Sequence, residues 1–150
     1  MTVTEVNNST IRSDTTIFLR DRLKNAISDP IAAKRSASSS FVMTSYPQRE
    51  ATYPLITVKV KNMEQFQRMG MQSESTSVGI LVEIRVWGRN VKERDELGDD
   101  VYEFLRTAQY GTPSTVDANL HDFNLLSSVL VDEPDVKSLL MEINYLYVSG

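Results

Sequence analysis

The sequence contains no cysteine and a single histidine, His121. The absence of cysteine excludes disulfide bonds, thiolate nucleophiles and cysteine-ligated zinc, and one histidine leaves few ligands for a transition-metal site. His121 lies in a polar stretch beside Asp122, and Ser127 and Ser128 follow it. Nothing in this spacing indicates a Ser/His/Asp triad, because triads are defined by geometry. The favoured interpretation is a solvated loop histidine.

Glycine is also scarce, with six residues, and neither G-x-G-x-x-G nor G-x-x-x-x-G-K-[ST] occurs, so no phosphate-binding loop or other cofactor site is expected. The longest apolar stretch, residues 78–87, is interrupted by Glu83 and Arg85, so we expect no membrane span. The polar first residues show no secretory signal. A formal net charge of -4 argues against binding nucleic acid mainly through phosphate contacts.

The sequence does contain regular alternation of apolar and polar side chains, which predicts strands. In the best strand, residues 78–87, five aliphatic residues share one face without exception: Val78, Ile80, Val82, Ile84 and Val86. Further strands are predicted over 41–46, 55–61, 123–132 and 139–148, the last two as an antiparallel hairpin. In residues 123–132, one side is predicted to carry Phe123, Leu125, Ser127, Val129 and Val131. Such alternation favours an antiparallel sheet with one covered face.

Two segments have apolar residues at helical spacing. The first helix is predicted from Ser13 or Asp14, either of which can cap it, to about Ser28. Its buried stripe is predicted to contain Leu19, Leu23, Ala26 and Ile27, with Ile17 and Phe18 outside the stripe. The second helix is predicted over residues 90–107, where Asn90 and Glu93 form a capping-box pattern. Its predicted stripe contains Leu97, Val101, Phe104, Leu105 and Ala108.

These elements predict an α+β fold. Residues 1–12 are rich in Thr, Asn and Ser and are predicted to be a flexible arm. Residues 13–150 then form one domain, an antiparallel four- to five-stranded sheet with two helices packed on one face.

Residues 62–77, between two strong strands, are predicted to be a long hairpin loop or a short helix on a loop. Connections this long are uncommon unless they have a function. Methionine suits surfaces that adapt to a partner, and a projecting loop would expose an apolar contact patch. Alternatively, the loop folds back and covers the core. The candidate partner-contact residues are Met63, Phe66, Met69 and Met71.

The second helix carries four carboxylates at steps of three and four residues, hence on one helical face: Glu96, Asp99, Asp100 and Glu103. Three interpretations are open. The cluster binds Mg²⁺ or Ca²⁺ or supplies paired carboxylates for catalysis, it is simply a solvated face, or it is a charged face between subunits. In the third case the candidate partners on the first helix are Arg20, Arg22 and Lys24.

The order of elements and a few short phrases resemble a known family. A helix with a basic turn comes first, followed by Tyr53-Pro54-Leu55-Ile56, then Val86-Trp87-Gly88, then Glu93-Arg94-Asp95-Glu96-Leu97 opening an amphipathic helix, and finally a two-strand hairpin. Over most of residues 14–148 this pattern is similar to the tail terminator (tail completion) proteins of long-tailed bacterial viruses and to related head–tail connector proteins.

The resemblance implies a structural protein without enzyme activity, made in the host cytoplasm and residing in the virion tail or neck. It implies a homo-oligomer, a hexameric ring at the head-proximal end of the tail tube. The ring ends tube growth, contacts the tail tube protein and the head–tail connector or neck proteins, and lets DNA pass without specific binding. The alternatives are a connector stopper protein, a dimeric ferredoxin-like ligand-binding or regulatory module, and a small hydrolase or metal-dependent enzyme that uses the acidic helix.

Overall fold

The computed structural model describes residues 5–7, 9–31, 41–44, 53–68, 76–110, 114–115, 117–132 and 136–148. In chain order the elements are α1 (Ile11–Ala26), β1 (Val42–Met43), β2 (Leu55–Arg68), β3 (Thr76–Gly88), α2 (Val91–Thr107), β4 (Leu120–Asp132) and β5 (Lys137–Val148). Within these residues, no helix is long and apolar enough to cross a membrane.

The sheet confirms the α+β class but is mixed rather than antiparallel throughout. Its strand order is β1-β2-β3-β5-β4. The pairs β2–β3, β3–β5 and β4–β5 are antiparallel, whereas β1 runs parallel to β2, with Val42 opposite Ile56. The prediction of an antiparallel sheet is therefore wrong at β1. In the sequence β1 ends at Met43 and β2 begins at Leu55, a separation longer than the two-residue turn of an antiparallel hairpin.

One hydrophobic cluster joins the sheet to both helices. The predicted face of β3 is confirmed, since its five aliphatic side chains are all buried, and opposite them on β5 lie four further buried side chains, Met141, Ile143, Tyr145 and Tyr147. From the helices, the same cluster includes Phe18, Leu19, Leu23, Leu97, Val101 and Leu105. Alternation along β3 and β5 and helical spacing along α2 therefore converge on one core.

The first helix differs from its prediction at the start and in its stripe. Phe18 is 1% exposed and belongs to the core, whereas Ala26 is exposed. Because the helix begins at Ile11, the stripe is displaced toward the N-terminus. It consists of Ile11, Asp14, Thr15, Phe18, Leu19 and Leu23.

The described part of residues 1–12 is packed, so the prediction of a flexible arm is wrong for these residues. Val6 is fully buried, and its N–H donates to the Ala118 carbonyl at 3.1 Å. Asp14 lies in the first helical turn, and its carboxylate accepts from the Asn7 N–H at 3.1 Å and the Thr10 hydroxyl at 2.6 Å. This carboxylate ties the preceding backbone to the helix and is well placed for the positive end of the helix dipole.

The predicted loop over residues 62–77 is wrong for its described residues, 62–68 and 76–77, which extend β2 and β3. Arg68 still pairs with Thr76. Register shifts between Val60 and Asn62 and between Gln65 and Gln67 change which side chains face the core. Such bulges interrupt the period-two pattern on which the strand prediction depended. Residues 69–75 lie outside the described part of the chain.

Two glycines give a matched test of the contact between α2 and the sheet. A Cβ at Gly88 would lie 2.8 Å from the Arg94 backbone nitrogen, and one at Gly98 would lie 2.6 Å from Leu139 Cδ2. Because the backbone of Arg94 cannot move aside for the added methyl group, we expect Gly88→Ala to lower the free energy of unfolding by about 1–3 kcal/mol. Gly98→Ala meets only a rotatable methyl group and gains helix propensity of about 1 kcal/mol.

Urea unfolding of the two alanine variants beside the parent protein measures this difference. Equal losses of stability in both variants would contradict the proposed distinction between backbone and side-chain contacts.

Candidate assembly surfaces

The start of α2 is fixed by a cap and an ion pair. The Asn90 side chain accepts from the Glu93 N–H at 2.9 Å, as predicted. The Glu93 carboxylate accepts from the Arg89 N–H at 3.0 Å and from its guanidinium at 3.1 and 2.7 Å. The side-chain hydrogen bonds from Arg89 lower the pKa of Glu93 and raise the pKa of Arg89. Together these contacts set where α2 begins and therefore which of its side chains point outward.

The four predicted carboxylates of α2 are all exposed, but they differ in their partners. Glu96 lies 3.9 Å from the Lys92 ammonium, and Glu103 binds Arg106 at 2.6 Å. Hydrogen bonding from Arg106 lowers the pKa of Glu103. Among the described residues, the other two carboxylates, Asp99 and Asp100, form no ion pair. In the same part of the chain, no group of three or more metal-binding side chains is arranged to hold an ion.

The basic residues of α1 are not brought to these carboxylates. Arg20 is half-buried and pairs with its neighbour Asp21 at 3.0 Å. Arg22 is half-buried and Lys24 is exposed. Neither has an ionic partner in the described ranges of the chain. Among the described residues, α1 therefore carries positive charge and α2 negative charge without an ion-pair partner.

The ends of the two helices enclose a cleft of about 360 Å³. Ser28 and Pro30, which follow α1, form one side, and residues of the first half of α2 form the other. Glu96 and Asp100 line the cleft. Part of the acidic face of α2 is thus concave, a shape that suits an incoming basic side chain.

On the polar face of the sheet, in contrast to the helices, two lysines have acidic partners within the same chain. Lys59 lies 3.5 Å from Glu83, and Lys61 lies 3.4 Å from Glu142. Lys59 and Glu83 lie on adjacent strands, where opposite charges stabilise the sheet modestly, whereas the Lys61–Glu142 pair reaches from β2 across β3 to β5. These lysines therefore do not form an unpaired basic patch.

β4 carries an apolar surface that the sequence analysis missed. Leu126, Val129 and Leu130 are 53%, 50% and 57% exposed, and β4 is the last strand of the described sheet. The missed signal was apolar residues at adjacent positions, Leu125-Leu126 and Val129-Leu130-Val131, which place apolar side chains on both faces of a strand.

The predicted single face of β4 is also wrong. Leu125 pairs with Ile143 and packs against the core, whereas Val129 pairs with Leu140 on the opposite face. A register shift between Leu125 and Ser127 separates the two residues. The bulge changes the parity of the strand, which alternation alone cannot reveal.

A second and larger cleft of about 810 Å³ lies between α1 and the edge of β2. Its lining includes Ile17 and Arg20 of α1, Thr44 just beyond β1, and Met63 of β2. Met63 is half-buried against the core, so this predicted contact residue lies in a strand and not on a projecting loop. Phe66 also lies in β2, and its side chain is outside the described part of the structure, as are Met69 and Met71.

The remaining candidates for chemistry are dispersed. His121 lies on β4, pairs with Leu146 of β5 and is half-buried, so it is a strand residue and not a loop residue. Tyr145 is fully buried, its hydroxyl has no hydrogen-bond partner in the described structure, and burial raises its pKa. Neither side chain belongs to a described cluster that resembles a catalytic site.

Comparison with models of protein families gave no match, and comparison with curated proteins gave none either.

The Arg89–Glu93 pair predicts a pH-dependent contribution to stability. The pKa of Glu93 is lower in the folded protein than in the unfolded chain, so this contribution is present above about pH 4.3 and is lost as the pH falls through the folded pKa. We expect Glu93→Gln to lower the free energy of unfolding at pH 7 by about 0.2–1 kcal/mol. The difference from the parent should vanish near pH 2.

Denaturant unfolding between pH 2 and pH 7 tests this expectation. Glu96→Gln is the matched control, because its carboxylate is more exposed and lies farther from its lysine partner. A deficit of Glu93→Gln that stays constant over the whole range would show that the charge of Glu93 is not its cause.

Proposed function

We propose that this protein is the structural subunit of a ring at the head-proximal end of a viral tail tube, where it ends tube growth and joins the tail to the head or neck. The observation that supports ring assembly is the pair of unneutralised helix charges. Positive charge on Arg22 and Lys24 and negative charge on Asp99 and Asp100 lie on different helices of one subunit. Two different surfaces that complement each other generate head-to-tail contacts, which close into a ring or continue as a filament.

In this proposal both helices cover one face of the sheet, since both contribute to one core. The acidic face of α2 on one subunit then meets the basic face of α1 on the next. The cleft lined by Glu96 and Asp100 receives part of that basic face, and Glu103 lies near its rim. Complementary charge of this kind raises association rates and fixes orientation more than it raises affinity.

The position of the ring in a virion rests on the resemblance to tail terminators. The proposed partners are further copies of the chain, arranged as the hexamer that the resemblance implies, together with the tail tube protein and the neck proteins. The β2–β3 hairpin, which leads to residues 69–75, is the proposed contact with the tube. A net charge of -4 is compatible with a ring through which DNA passes without specific binding. The proposed role is structural and involves no catalysis or cofactor.

Charge exchange tests the ring contact. Asp99→Lys combined with Asp100→Lys places like charges opposite α1 of the neighbour, and Arg22→Glu combined with Lys24→Glu does the same from the other side. We expect each pair alone to weaken self-association about tenfold or more at low salt, a loss of about 1.4 kcal/mol. All four substitutions in one chain should restore it, because the charges again match.

Native mass spectrometry and sedimentation at 50 and 500 mM salt measure the assemblies, and the four-substitution chain is the internal control. A salt-insensitive dimer that carries a bound metabolite would instead support the ferredoxin-like alternative. Electron microscopy of tail tubes polymerised with and without the ring then distinguishes a terminator, which shortens the tubes, from a stopper, which leaves their length unchanged.

A further inference from the structure

We infer that the open edge of β2, beside α1, receives β4 of a second copy, so that the sheet continues from one subunit into the next. This inference rests on the proposed ring and identifies its apolar contact. It concerns surfaces other than the charged helix faces, and it can therefore fail while the ring stands.

Over residues 126–130, β4 is an edge without the charged residues that usually discourage pairing. Natural edge strands often carry proline or charged residues, especially lysine, which discourage contact with another chain. Residues 126–130 read Leu-Ser-Ser-Val-Leu and contain none of these. Their three aliphatic side chains are each at least half exposed. An edge of this kind is a ready template for pairing with another chain.

β2 supplies a matching edge at the other end of the sheet. β1 pairs only with Ile56 and Thr57, so in the described structure the longer part of β2 has a strand neighbour on the β3 side alone. At Val60 this side is taken by Arg12, whose guanidinium donates to the Val60 carbonyl at 2.8 Å, so an added strand would pair along the part of β2 that follows Val60. The cleft of about 810 Å³ lies along this side and has room for an extended segment.

The directions of the strands favour this pairing. Three antiparallel ladders separate β2 from β4, so the two strands run in opposite directions. A second copy placed beside the first in the same orientation therefore brings its β4 antiparallel to β2. The two edges belong to opposite ends of the sheet, so each copy can donate one and accept at the other, as a head-to-tail ring requires.

The side chains on the two edges also match. Leu130 lies opposite Leu139, which packs against the core, so Leu130 is on the helix side of the sheet. In a continued sheet that side of the neighbour's strand faces the cleft, where Ile17 and Met63 supply apolar surface.

The cysteine-free chain allows a direct test by cross-linking. We expect a chain with both Met63→Cys and Leu130→Cys, treated with a short bis-maleimide, to give a ladder of covalent dimers, trimers and larger species on denaturing gels. Each single-cysteine chain is the control and should remain monomeric on the same gels.

Each other outcome overturns the inference. Covalent dimers from Leu130→Cys alone would indicate β4–β4 pairing, which closes at two copies. If the double variant still assembles but gives no ladder, β4–β2 pairing is ruled out and the proposed ring is unaffected. A chain that is monomeric at every concentration before treatment would contradict both proposals.

A charged edge gives an independent measurement. We expect Leu130→Lys to weaken self-association at least tenfold, while Tyr110→Lys, at a site 81% exposed beyond the end of α2, leaves it unchanged. Both variants should keep the parent's unfolding midpoint, since both sites are exposed. Equal association of the two variants would overturn the inference.

Discussion

The register of β3 between its two neighbours is the constraint on which the rest of the fold depends. Its five alternate aliphatic residues are buried, and it pairs along its length with β2 on one side and β5 on the other. A slip of one residue would turn that whole set to the opposite face. β3 ends at Gly88, where the backbone of Arg94 approaches too closely for any side chain, so the register of β3 also sets the position of α2.

With the central strands and both helices committed to one core, the features left for contact lie at the margins of the sheet and on the outward faces of the helices. β4 retains exposed aliphatic side chains, and the open side of β2 lies beside a cleft. Asp99, Asp100 and Lys24 point outward and find no ionic partner in the described chain. Unmatched apolar surface and unmatched charge on different sides of the described chain are the features on which the proposed self-assembly rests.

Sequence patterns predicted those elements whose periodicity is unbroken. The faces of β3 and β5 and the Asn90 cap follow directly from local residues. Bulges in β2 and β4 change which alternate residues face the core, and no characteristic residue type marks them in the sequence. The extension of β2 and the divided faces of β4 were therefore not predictable from alternation. Parallel pairing of β1 depends on a distant strand. The sequence left three interpretations of the α2 carboxylates open, and only the packed structure showed which of the charged residues lack ionic partners among the described residues.

Charge and strand pairing have complementary roles in the proposed assembly. Exposed ion pairs contribute about 0–1 kcal/mol each, too little to hold a ring but enough to select among orientations. The aliphatic edge of β4 contributes affinity but little specificity, because it can pair with β4 of another copy as readily as with β2. A two-fold β4–β4 contact places each surface against its own copy and leaves the opposite helix charges unmatched. In the proposed head-to-tail contact, β4 pairs with β2 and the acidic face of α2 meets the basic face of α1 at the same time. The helix charges therefore select head-to-tail pairing, which can close into a ring, over β4–β4 pairing.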